Sequence, residues 1–271
     1  MLDKLKLPKS TYYRYASGKS PKRDRWSDVR PLVREAFART PNGMGYRQVA
    51  MVLRAEQGLA VSGKTVLRLM REEGLCCRIR RKHYSSYRGE RGKVAKNVLN
   101  RDFAAERPME KLATDVTEFR VAGAKAYLSP VMDLYNNEIV AWSVTRSPNF
   151  AQTMEMLDDL EPKIGKPALL HSDQGWQYQQ LAYRKRLKDM GLEQSMSRKA
   201  TCLDNACMEG FFGHLKDEFY RGQRFSSFAS FKEQIDAYIV YWNTRRYQTR
   251  LKGMTPEQCT ASHFLDTRNG R

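Results

Sequence analysis

Apolar residues in the first third of the chain recur with the spacing of an α-helix. Between positions 29 and 37 they fall at i, i+3, i+4, i+7 and i+8, which predicts an amphipathic helix that Ser27 can cap. A second helix is predicted over Tyr46–Gln57, and Gly58 is expected to end it. The pattern therefore favours a helical N-terminal region.

A third helix is predicted to begin after Ser62 and to run through Glu73, with Gly74 at its C-terminal cap. Its apolar residues share one side, and its cations recur at i, i+4 and i+7 on another. The inward residues are Val66, Leu69 and Met70, and the outward cations are Lys64, Arg68 and Arg71. Two short helices, the second with a basic outer face, are typical of a helix-turn-helix that contacts phosphates or guanine edges. A face that meets only solvent is the alternative.

After about residue 108 the pattern changes to strands that alternate with helices. Three consecutive strand-like runs with short turns predict an antiparallel meander, and two shorter runs predict further strands. Together they predict a mixed sheet with helices packed on it, an α/β architecture. Strands are predicted at 112–121, 126–134, 139–144, 168–172 and 192–196, and helices at 150–160, 181–190, 205–220 and 228–246.

Charge divides the chain at the same place. The 271 residues carry a formal net charge of +18. Residues 1–107 hold 26 Lys and Arg against 10 Asp and Glu, whereas residues 108–271 hold 22 against 20. So one-sided an excess favours a polyanionic partner over an ordinary solvated surface. The segment 77–107 is interpreted as a basic linker that can lie along DNA.

Other classes of protein fit the composition poorly. No stretch approaches the roughly 20 apolar residues of a membrane span, and the first residues lack an apolar signal core. The five cysteines do not look like a disulfide framework, and no histidine pair has zinc-finger spacing to them. We therefore expect a protein of a reducing cytoplasm, without a membrane anchor or a structural zinc ion.

Three carboxylates stand where packing alone does not explain them. Asp115 interrupts a strand-like run, and Asp173 directly follows a short buried strand, before a loop that contains glycine. On the wheel of the following helix, Glu209 lies at the border of the buried stripe, on the same flank as Asn205 and Lys216. Any one such acid is more often a helix cap or half of a salt bridge, so the joint pattern carries the hypothesis.

Carboxylates brought together on a sheet repel one another unless a divalent cation joins them. Hard oxygen ligands without a His or Cys set favour Mg²⁺ or Mn²⁺ over zinc. Two such ions about 3.5–4 Å apart can clamp the attacking and leaving oxygens of a phosphodiester. The three acids therefore indicate metal-dependent chemistry on a nucleic acid.

The strings around these acids resemble those of the DDE transposases of bacterial insertion sequences and of retroviral integrases. The 35 residues between Asp173 and Glu209 are part of that resemblance, and the motifs follow in the family's order over nearly the whole chain. The basic region resembles the helix-turn-helix that precedes the core of these transposases, and the last region resembles their C-terminal signature. The matching strings are TDVT at 114–117, HSDQG at 171–175, DNACME at 204–209, GYR at 45–47, GKTV at 63–66, RLMREEGL at 68–75 and YWNTRR at 241–246, together with Lys216, Leu251, Thr255 and Pro256.

The resemblance implies a ribonuclease H-like core in which Asp115, Asp173 and Glu209 are the catalytic metal ligands for Mg²⁺ or Mn²⁺. It implies that metal-activated water cuts one strand at the end of the element, and that the freed 3′-hydroxyl attacks a second phosphodiester without a covalent protein intermediate. Related elements join one end to the other as a circle before they insert. Lys216 would hold terminal DNA, and Asn205 is also expected to bind DNA.

The implied organisation has four segments. Residues 1–76 form the basic region with the helix-turn-helix, 77–107 the linker, 108–222 the catalytic core and 223–271 a helical extension. The implied partners are double-stranded DNA, as terminal repeats and as target, and further copies of this chain on that DNA, in the bacterial cytoplasm at the nucleoid. The resemblance also implies that the chain is the product of a second reading frame, which in this family is often fused by frameshifting to an upstream DNA-binding protein.

The chain departs from the family pattern at a few positions. Leu112 stands where the family usually has Trp, and Pro130 interrupts the second predicted strand, which indicates a bulge or an edge position. Asp133 is interpreted as structural or as supporting the site, and Asp204 as a cap of the Glu209 helix. A non-catalytic DNA-binding regulator of transposition and a structure-selective nuclease are the alternative functions.

Overall fold

In the described part of the chain, three helices are followed by a mixed sheet with helices on both faces. The computed structural model describes residues 13, 24–78, 94–198 and 202–268. Residues 79–93, the middle of the predicted basic linker, lie outside the described residues. Within the described ranges, no helix is long and apolar enough to cross a membrane.

The N-terminal helices are α1 (Val29–Ala38), α2 (Tyr46–Gln57) and α3 (Gly63–Glu72). The Gly58 backbone adopts the left-handed conformation, with φ 65°, and ends α2 as predicted. The Ser62 hydroxyl accepts a hydrogen bond at 3.2 Å from the N–H three residues later, so the predicted cap of α3 is confirmed. These helices therefore begin and end largely where local signals place them.

The predicted cap of α1 is wrong. The helix begins after Asp28, whose side chain makes no cap hydrogen bond, and the Ser27 hydroxyl donates to the Asp28 carboxylate at 3.1 Å instead. Burial holds α1 in place, since Val33 and Ala36 are almost wholly enclosed. The residues predicted to face inward from α3 are buried in the same cluster: Val66, Leu69 and Met70.

The region after residue 108 is built on a six-stranded mixed sheet. Its strands are β1 (Lys111–Thr114), β2 (Thr117–Val121), β3 (Ala124–Asp133), β4 (Ile139–Thr145), β5 (Ala168–Ser172) and β6 (Leu192–Met196). β3 pairs antiparallel with β4 on one edge and with β1 and β2 on the other. β5 pairs in parallel with both β1 and β6. The predicted meander and mixed sheet are confirmed.

The single strand predicted over 112–121 is interrupted at its centre. β1 and β2 keep one register against β3, so the unpaired gap at Asp115 and Val116 lies opposite Ser129 and Pro130. Proline has no N–H to donate across this gap. The Val116 N–H donates to the Asp115 carboxylate at 2.7 Å instead of to a neighbouring strand. The prediction of one unbroken strand is wrong because the pairing with β3 is interrupted at Asp115, the first candidate acid.

Of the two positions offered for Pro130, the structure selects the bulge. β3 is an interior strand with a partner on each edge, so the edge position is wrong. The register of β3 against β4 shifts between Val131 and Met132, one residue after the proline. The chain therefore accommodates Pro130 where pairing is already incomplete.

Helices cover both faces of the sheet. They are α4 (Phe150–Leu160), α5 (Leu181–Asp189), α6 (Ala206–Leu215), α7 (Phe228–Thr244) and α8 (Pro256–Arg268), with short 3-10 helices at Glu161–Lys163, Trp176–Gln179, Cys202–Asn205 and Thr249–Leu251. α4 and α5 share one hydrophobic cluster with the sheet, and α6 and α7 share the other. α6 continues as a π-helical turn over Lys216–Tyr220, so the helix predicted to reach residue 220 has the right extent but widens at Lys216.

Candidate active site

Two acidic residues follow the carboxyl ends of neighbouring strands. β1 and β5 are parallel, and Ala113 in β1 pairs with His171 in β5. Each strand ends one residue later, and the next residue is Asp115 in one and Asp173 in the other. Parallel strands in register bring the residues after their ends to the same edge of the sheet. The two aspartates therefore lie side by side.

The backbone holds both carboxylates in place. The Val116 N–H donates to Asp115 Oδ1 at 2.7 Å, and the Gly175 N–H donates to Asp173 Oδ1 at 2.8 Å. A β-carbon added to Gly175 would lie 2.9 Å from Asp173 Oδ1 and 2.6 Å from Gln177 Nε2, closer than such atoms normally approach. Glycine at this position therefore lets the loop fold tightly against the Asp173 carboxylate.

The third predicted acid reaches the same region from α6. The N-terminal end of this helix lies against β1, where Asn205 Nδ2 donates to the Thr114 carbonyl at 3.4 Å. Met208 is fully buried, and the next residue, Glu209, is exposed. Its negative charge acts on Asp115. The border position predicted by the helix wheel thus lies within electrostatic reach of the strand ends.

The carboxylates at this edge of the sheet destabilise one another in their ionised form. Burial and the charge of Asp173 raise the pKa of Asp115 well above its ordinary value; Glu209 adds to the rise, and Lys216 opposes it. Burial also raises the pKa of Asp173. A cation held between these oxygens would relieve the repulsion. Oxygen donors of this kind suit Mg²⁺ and Mn²⁺.

The three acids do not form a ready-made metal cluster. Among the residues that the structure describes, no three Asp, Glu, His or Cys side chains lie close enough together to hold an ion. The fold supplies two adjacent carboxylates on rigid strand ends and a third on the neighbouring helix. The donor set fits a divalent ion in chemistry.

Lys216 is the first residue of the π-helical turn that continues the Glu209 helix. Its ammonium lies 5.4 Å from the centre of the Phe119 ring, a distance at which the ring attracts a cation. Its charge lowers the pKa of Asp115. This lysine is therefore positioned to act on the acidic edge of the sheet, although its contact with DNA stays a prediction.

Contact between Asn205 and DNA also stays a prediction. The Asn205 side chain is only 5% exposed, and its amide donates to a backbone carbonyl of β1. To contact DNA, this side chain would have to turn outward. In the structure its observed partner is the strand that leads to Asp115.

The basic face of α3 is open to solvent. Lys64, Arg68 and Arg71 are all exposed. Arg68 also pairs with Glu72 one helical turn away, at 3.2 Å. An exposed pair of this kind contributes little free energy, so a phosphate can compete for the arginine.

Asp133 has a structural setting opposite the start of β1. It pairs with Leu112, three residues before Asp115. Its carboxylate accepts hydrogen bonds from the Met109 N–H at 2.8 Å and the Tyr135 N–H at 2.9 Å. Burial raises its pKa to about 6. Its observed contacts agree with the structural interpretation.

The interpretation of Asp204 as a helix cap is wrong. This fully buried carboxylate accepts hydrogen bonds from Arg198, Arg101 and Asn97 at 2.7–3.0 Å. α6 begins after the next residue, and no side chain caps it. Asp204 instead ties the segment before β1 to the segment between β6 and α6.

Sequence reasoning gave no role to two buried residues beside the strand ends. The ring nitrogens of His171 lie 2.8 Å from the Ser195 hydroxyl and 3.0 Å from the Ser197 hydroxyl, and burial lowers its pKa to about 4. This neutral ring locks β5 to β6 next to Asp173. Tyr178 is fully buried, and both burial and the charges of the two site aspartates raise its pKa. The HSDQG string was a signal for the histidine, whereas nothing in the local pattern marks Tyr178.

Protein-family models match three parts of the chain. Two models described as integrase core domain match residues 105–202 and 209–261, and one described as HTH-like domain matches residues 25–83. The chain is 45% identical over 258 residues to the putative transposase InsK of insertion sequence element IS150 from Escherichia coli, which covers 94% of this chain and 90% of that protein. It is 46% identical over 207 residues to an uncharacterized transposase-like protein of Haemophilus influenzae, which covers 76% of this chain and 96% of that protein.

Among solved structures, the chain is similar to the HTLV-2 integrase catalytic core domain in complex with magnesium. The identity is 14% and the TM-score 0.46, over 57% of this chain and 98% of that one. The mixed sheet and the family models define an integrase-type core preceded by an HTH-like region, as predicted. The chain belongs to the family of insertion-sequence transposases that carry this core. Enzymes of this family cleave DNA and transfer it.

Proposed function

We propose that this transposase cuts and joins DNA with Asp115, Asp173 and Glu209 as ligands of two Mg²⁺ or Mn²⁺ ions. One observation carries the proposal: two aspartates follow the ends of parallel strands in register, and both have a raised pKa. Strongly perturbed acids that lie together are typical of sites that perform chemistry. The contact between the Glu209 helix and the end of β1 supports the assignment of the third ligand.

Bound ions would activate the attacking oxygen and stabilise the charge that develops on the phosphodiester. The contribution of the protein is to hold and orient. Asp115 and Asp173 would present their carboxylates from strand ends, each held through Oδ1 by a backbone N–H. Glu209 would complete the ligand set from α6. Lys216 would hold the backbone of the terminal DNA beside these carboxylates.

The helix-turn-helix would hold the element end through the basic face of α3. Lys64, Arg68 and Arg71 are the proposed contacts, and their attraction to phosphates predicts binding that weakens steeply with salt. Because both ends of an element must be handled together, we propose that several copies of the chain assemble on the terminal repeats and the target DNA. The product of an upstream reading frame is a proposed further partner.

The test is a strand-transfer assay with purified full-length protein. The substrate is a labelled duplex that ends in a pre-cut candidate terminal repeat, taken from the DNA that flanks the gene, with Mg²⁺ or Mn²⁺ present. We expect joined products that depend on the metal ion. We expect Asp173→Asn and Asp115→Asn to lower joining at least about a thousandfold, a loss of the size seen when an essential catalytic group is removed.

Asp189→Asn is the matched control, because Asp189 is an exposed aspartate at the end of α5. The control should join DNA like the unsubstituted protein, and all three variants should bind the duplex with unchanged affinity in a mobility-shift assay. Unchanged joining by Asp173→Asn would overturn the proposal. Cutting without joining would favour a structure-selective nuclease, and binding without either reaction would favour a regulator.

A further inference from the structure

The turn between the first two helices of the HTH-like region touches the end of the helix that carries Glu209. The Asn42 side chain lies in this turn, and its Nδ2 donates to the Asp217 carbonyl at 2.6 Å and to the Arg221 carbonyl at 2.8 Å. These contacts join residues that are more than 170 positions apart in the chain. One amide therefore connects the predicted DNA-binding region to the integrase-type core.

The two carbonyls belong to the part of the helix that most needs a partner. The last carbonyls of a helix have no N–H ahead of them within the helix. Here the helix also widens into the π-helical turn Lys216–Tyr220, a form that often occurs at functional sites. The Asn42 amide has two donors, and its one nitrogen reaches a carbonyl inside this turn and a carbonyl directly after it.

A second polar contact from the HTH-like region reaches the same turn. Glu218 is held by Arg246 through two hydrogen bonds of 2.9 and 2.7 Å, and both side chains are buried. Gln48 lies in α2, and with its amide oxygen turned toward Arg246 it accepts from the guanidinium at 3.2 and 3.0 Å. The π-helical turn is therefore contacted directly through Asn42 and indirectly through Arg246.

The turn that holds Asn42 is also tied to the chain that leaves α3. The Arg78 N–H donates to the Asn42 carbonyl at 3.0 Å, and the Cys77 thiol donates to the Gly43 carbonyl at 2.9 Å. Residue 78 is the second residue of the predicted basic linker, and residues 79–93 lie outside the described ranges. A displacement of α3 or of the linker would therefore be transmitted to the turn through these hydrogen bonds. Through Asn42 it would reach the end of the Glu209 helix.

We propose that Asn42 is a positioning residue for strand transfer, which holds the end of the catalytic helix so that Glu209 and Lys216 stay in their working positions. This inference rests on the proposed function, since it assigns Asn42 to the same site. It adds that the HTH-like region supports the chemistry through contact with the core as well as through contact with DNA.

The test compares Asn42→Asp and Asn42→Ala in the full chain. Aspartate keeps the shape of asparagine and its preference for turns, but its carboxylate cannot donate to the two carbonyls. Gln57→Ala is the control, because it also removes an amide from the HTH-like region, and Gln57 is exposed at the end of α2. Three quantities are measured: duplex binding, metal-dependent strand transfer, and amide hydrogen exchange over residues 206–221.

In both Asn42 variants we expect amide exchange over 206–221 to rise at least about tenfold, while exchange in α1 and α3 stays unchanged. Duplex binding should stay within about twofold, and strand transfer should fall about tenfold or more, because small displacements of catalytic groups are costly. Gln57→Ala should match the unsubstituted protein in all three measurements. A purely structural contact would raise exchange in the core and in α1 and α3 together.

Unchanged exchange and unchanged joining in Asn42→Asp would overturn the role of Asn42 and leave the proposed function intact. So would faster exchange with undiminished joining. If the unsubstituted protein joined no DNA, or if Asp173→Asn joined it normally, the proposed function would fail instead. The exchange data would then still report whether Asn42 restrains the helix.

Discussion

Two regions of this transposase bury carboxylates, and they do so with opposite electrostatic results. At the ends of β1 and β5, Asp115 and Asp173 lie beside each other and the pKa of both is raised. Elsewhere in the core, hydrogen bonds and ion pairs with arginines hold the pKa of Asp204 below its ordinary value and lower that of Glu218 to about 2. The comparison teaches that an enclosed acid ionises readily where arginines neutralise its charge, and that its pKa rises where the cost of burial is not fully offset.

The difference has a plain energetic meaning. The Glu218 side chain is only 6% exposed, yet it ionises readily because Arg246 lies 2.7 Å away in an equally buried position. Asp115 has two acids among the groups that act on it, and Lys216 offsets them only in part. The fold itself neutralises the charge of Glu218, whereas a bound cation would best neutralise the charges of Asp115 and Asp173.

The largest effect is expected from breaking the buried pair. Arg246→Met leaves Glu218 enclosed without its cation, and removal of one partner of a buried ion pair typically costs about 3–5 kcal/mol. The free energy of unfolding in urea measures this loss. The double variant Arg246→Met with Glu218→Met is the control and should regain much of it. If the single variant lost less than about 1 kcal/mol, the idea that Arg246 stabilises the ionised Glu218 carboxylate would be contradicted.

A smaller loss is expected at Asp204. Asp204→Asn removes a charge that Arg101 and Arg198 share, but these arginines are 45% and 51% exposed and keep much of their hydration. We expect a loss of about 1–2 kcal/mol in the free energy of unfolding at neutral pH.

The pH dependence of this loss has a definite sign. Because the folded-state pKa of Asp204 lies below 3.8, its stabilisation is present above that pH and disappears as the pH falls toward the folded-state pKa. Urea unfolding at neutral pH and near pH 4 should therefore show the largest difference between the two proteins at neutral pH. If the two proteins differed equally in their free energy of unfolding at a much lower pH, the lowered pKa of Asp204 would be contradicted.

The opposite sign is expected at the candidate active site. Because the folded-state pKa of Asp115 lies above 3.8, the folded protein binds this proton more tightly than the unfolded chain does. The stabilisation is complete below pH 3.8 and is lost as the pH rises through the folded-state pKa. Asp115→Asn should therefore raise the free energy of unfolding at neutral pH, by about 1 kcal/mol, while it abolishes strand transfer.

Thermal unfolding with and without Mg²⁺ sharpens this prediction. The ion should raise the Tm of the unsubstituted protein, because a ligand of the folded state stabilises it, and should raise that of Asp115→Asn much less. Asp189→Asn serves as the control and should respond like the unsubstituted protein. Equal responses in all three proteins would contradict the role of Asp115 as a ligand.

The smallest effect on stability is expected from Gly175→Ala. The φ of Gly175 is −57°, which alanine adopts without strain, so the change in the free energy of unfolding should be within about 0.5 kcal/mol. The new β-carbon would nevertheless crowd Asp173 Oδ1 and the Gln177 amide. Strand transfer should fall about tenfold while duplex binding is unchanged. Normal joining would show that Asp173 tolerates displacement.

Local pattern was enough to predict much of the core. The bounds predicted for the helix over 150–160 and for the strands over 168–172 and 192–196 agree with α4, β5 and β6. Asp173 stood out because it ends a short buried strand. Periodicity succeeds at such places because each residue's burial there follows from its immediate neighbours along the chain.

Local pattern failed where a polar group contacts a residue that is distant along the chain. It predicted an unbroken first strand, although Pro130 faces the gap at Asp115. It predicted that Asp204 caps a helix, although Arg101, 103 positions away in the chain, donates a hydrogen bond to the carboxylate. It gave no sign that Asn42 contacts the core, since the carbonyls that Asn42 binds belong to a helix end far along the chain.

The order of the residues was sufficient to establish the helical basic region, the mixed sheet, the one-sided charge and the three acids worth testing. These features depend on spacing and on residue type, which can be read along the chain. Folding in three dimensions settled which acids face arginines, which face each other, and which turn of the HTH-like region meets the Glu209 helix. The physical reason is that electrostatic and hydrogen-bond energies depend on distances through space, and local periodicity does not encode those distances.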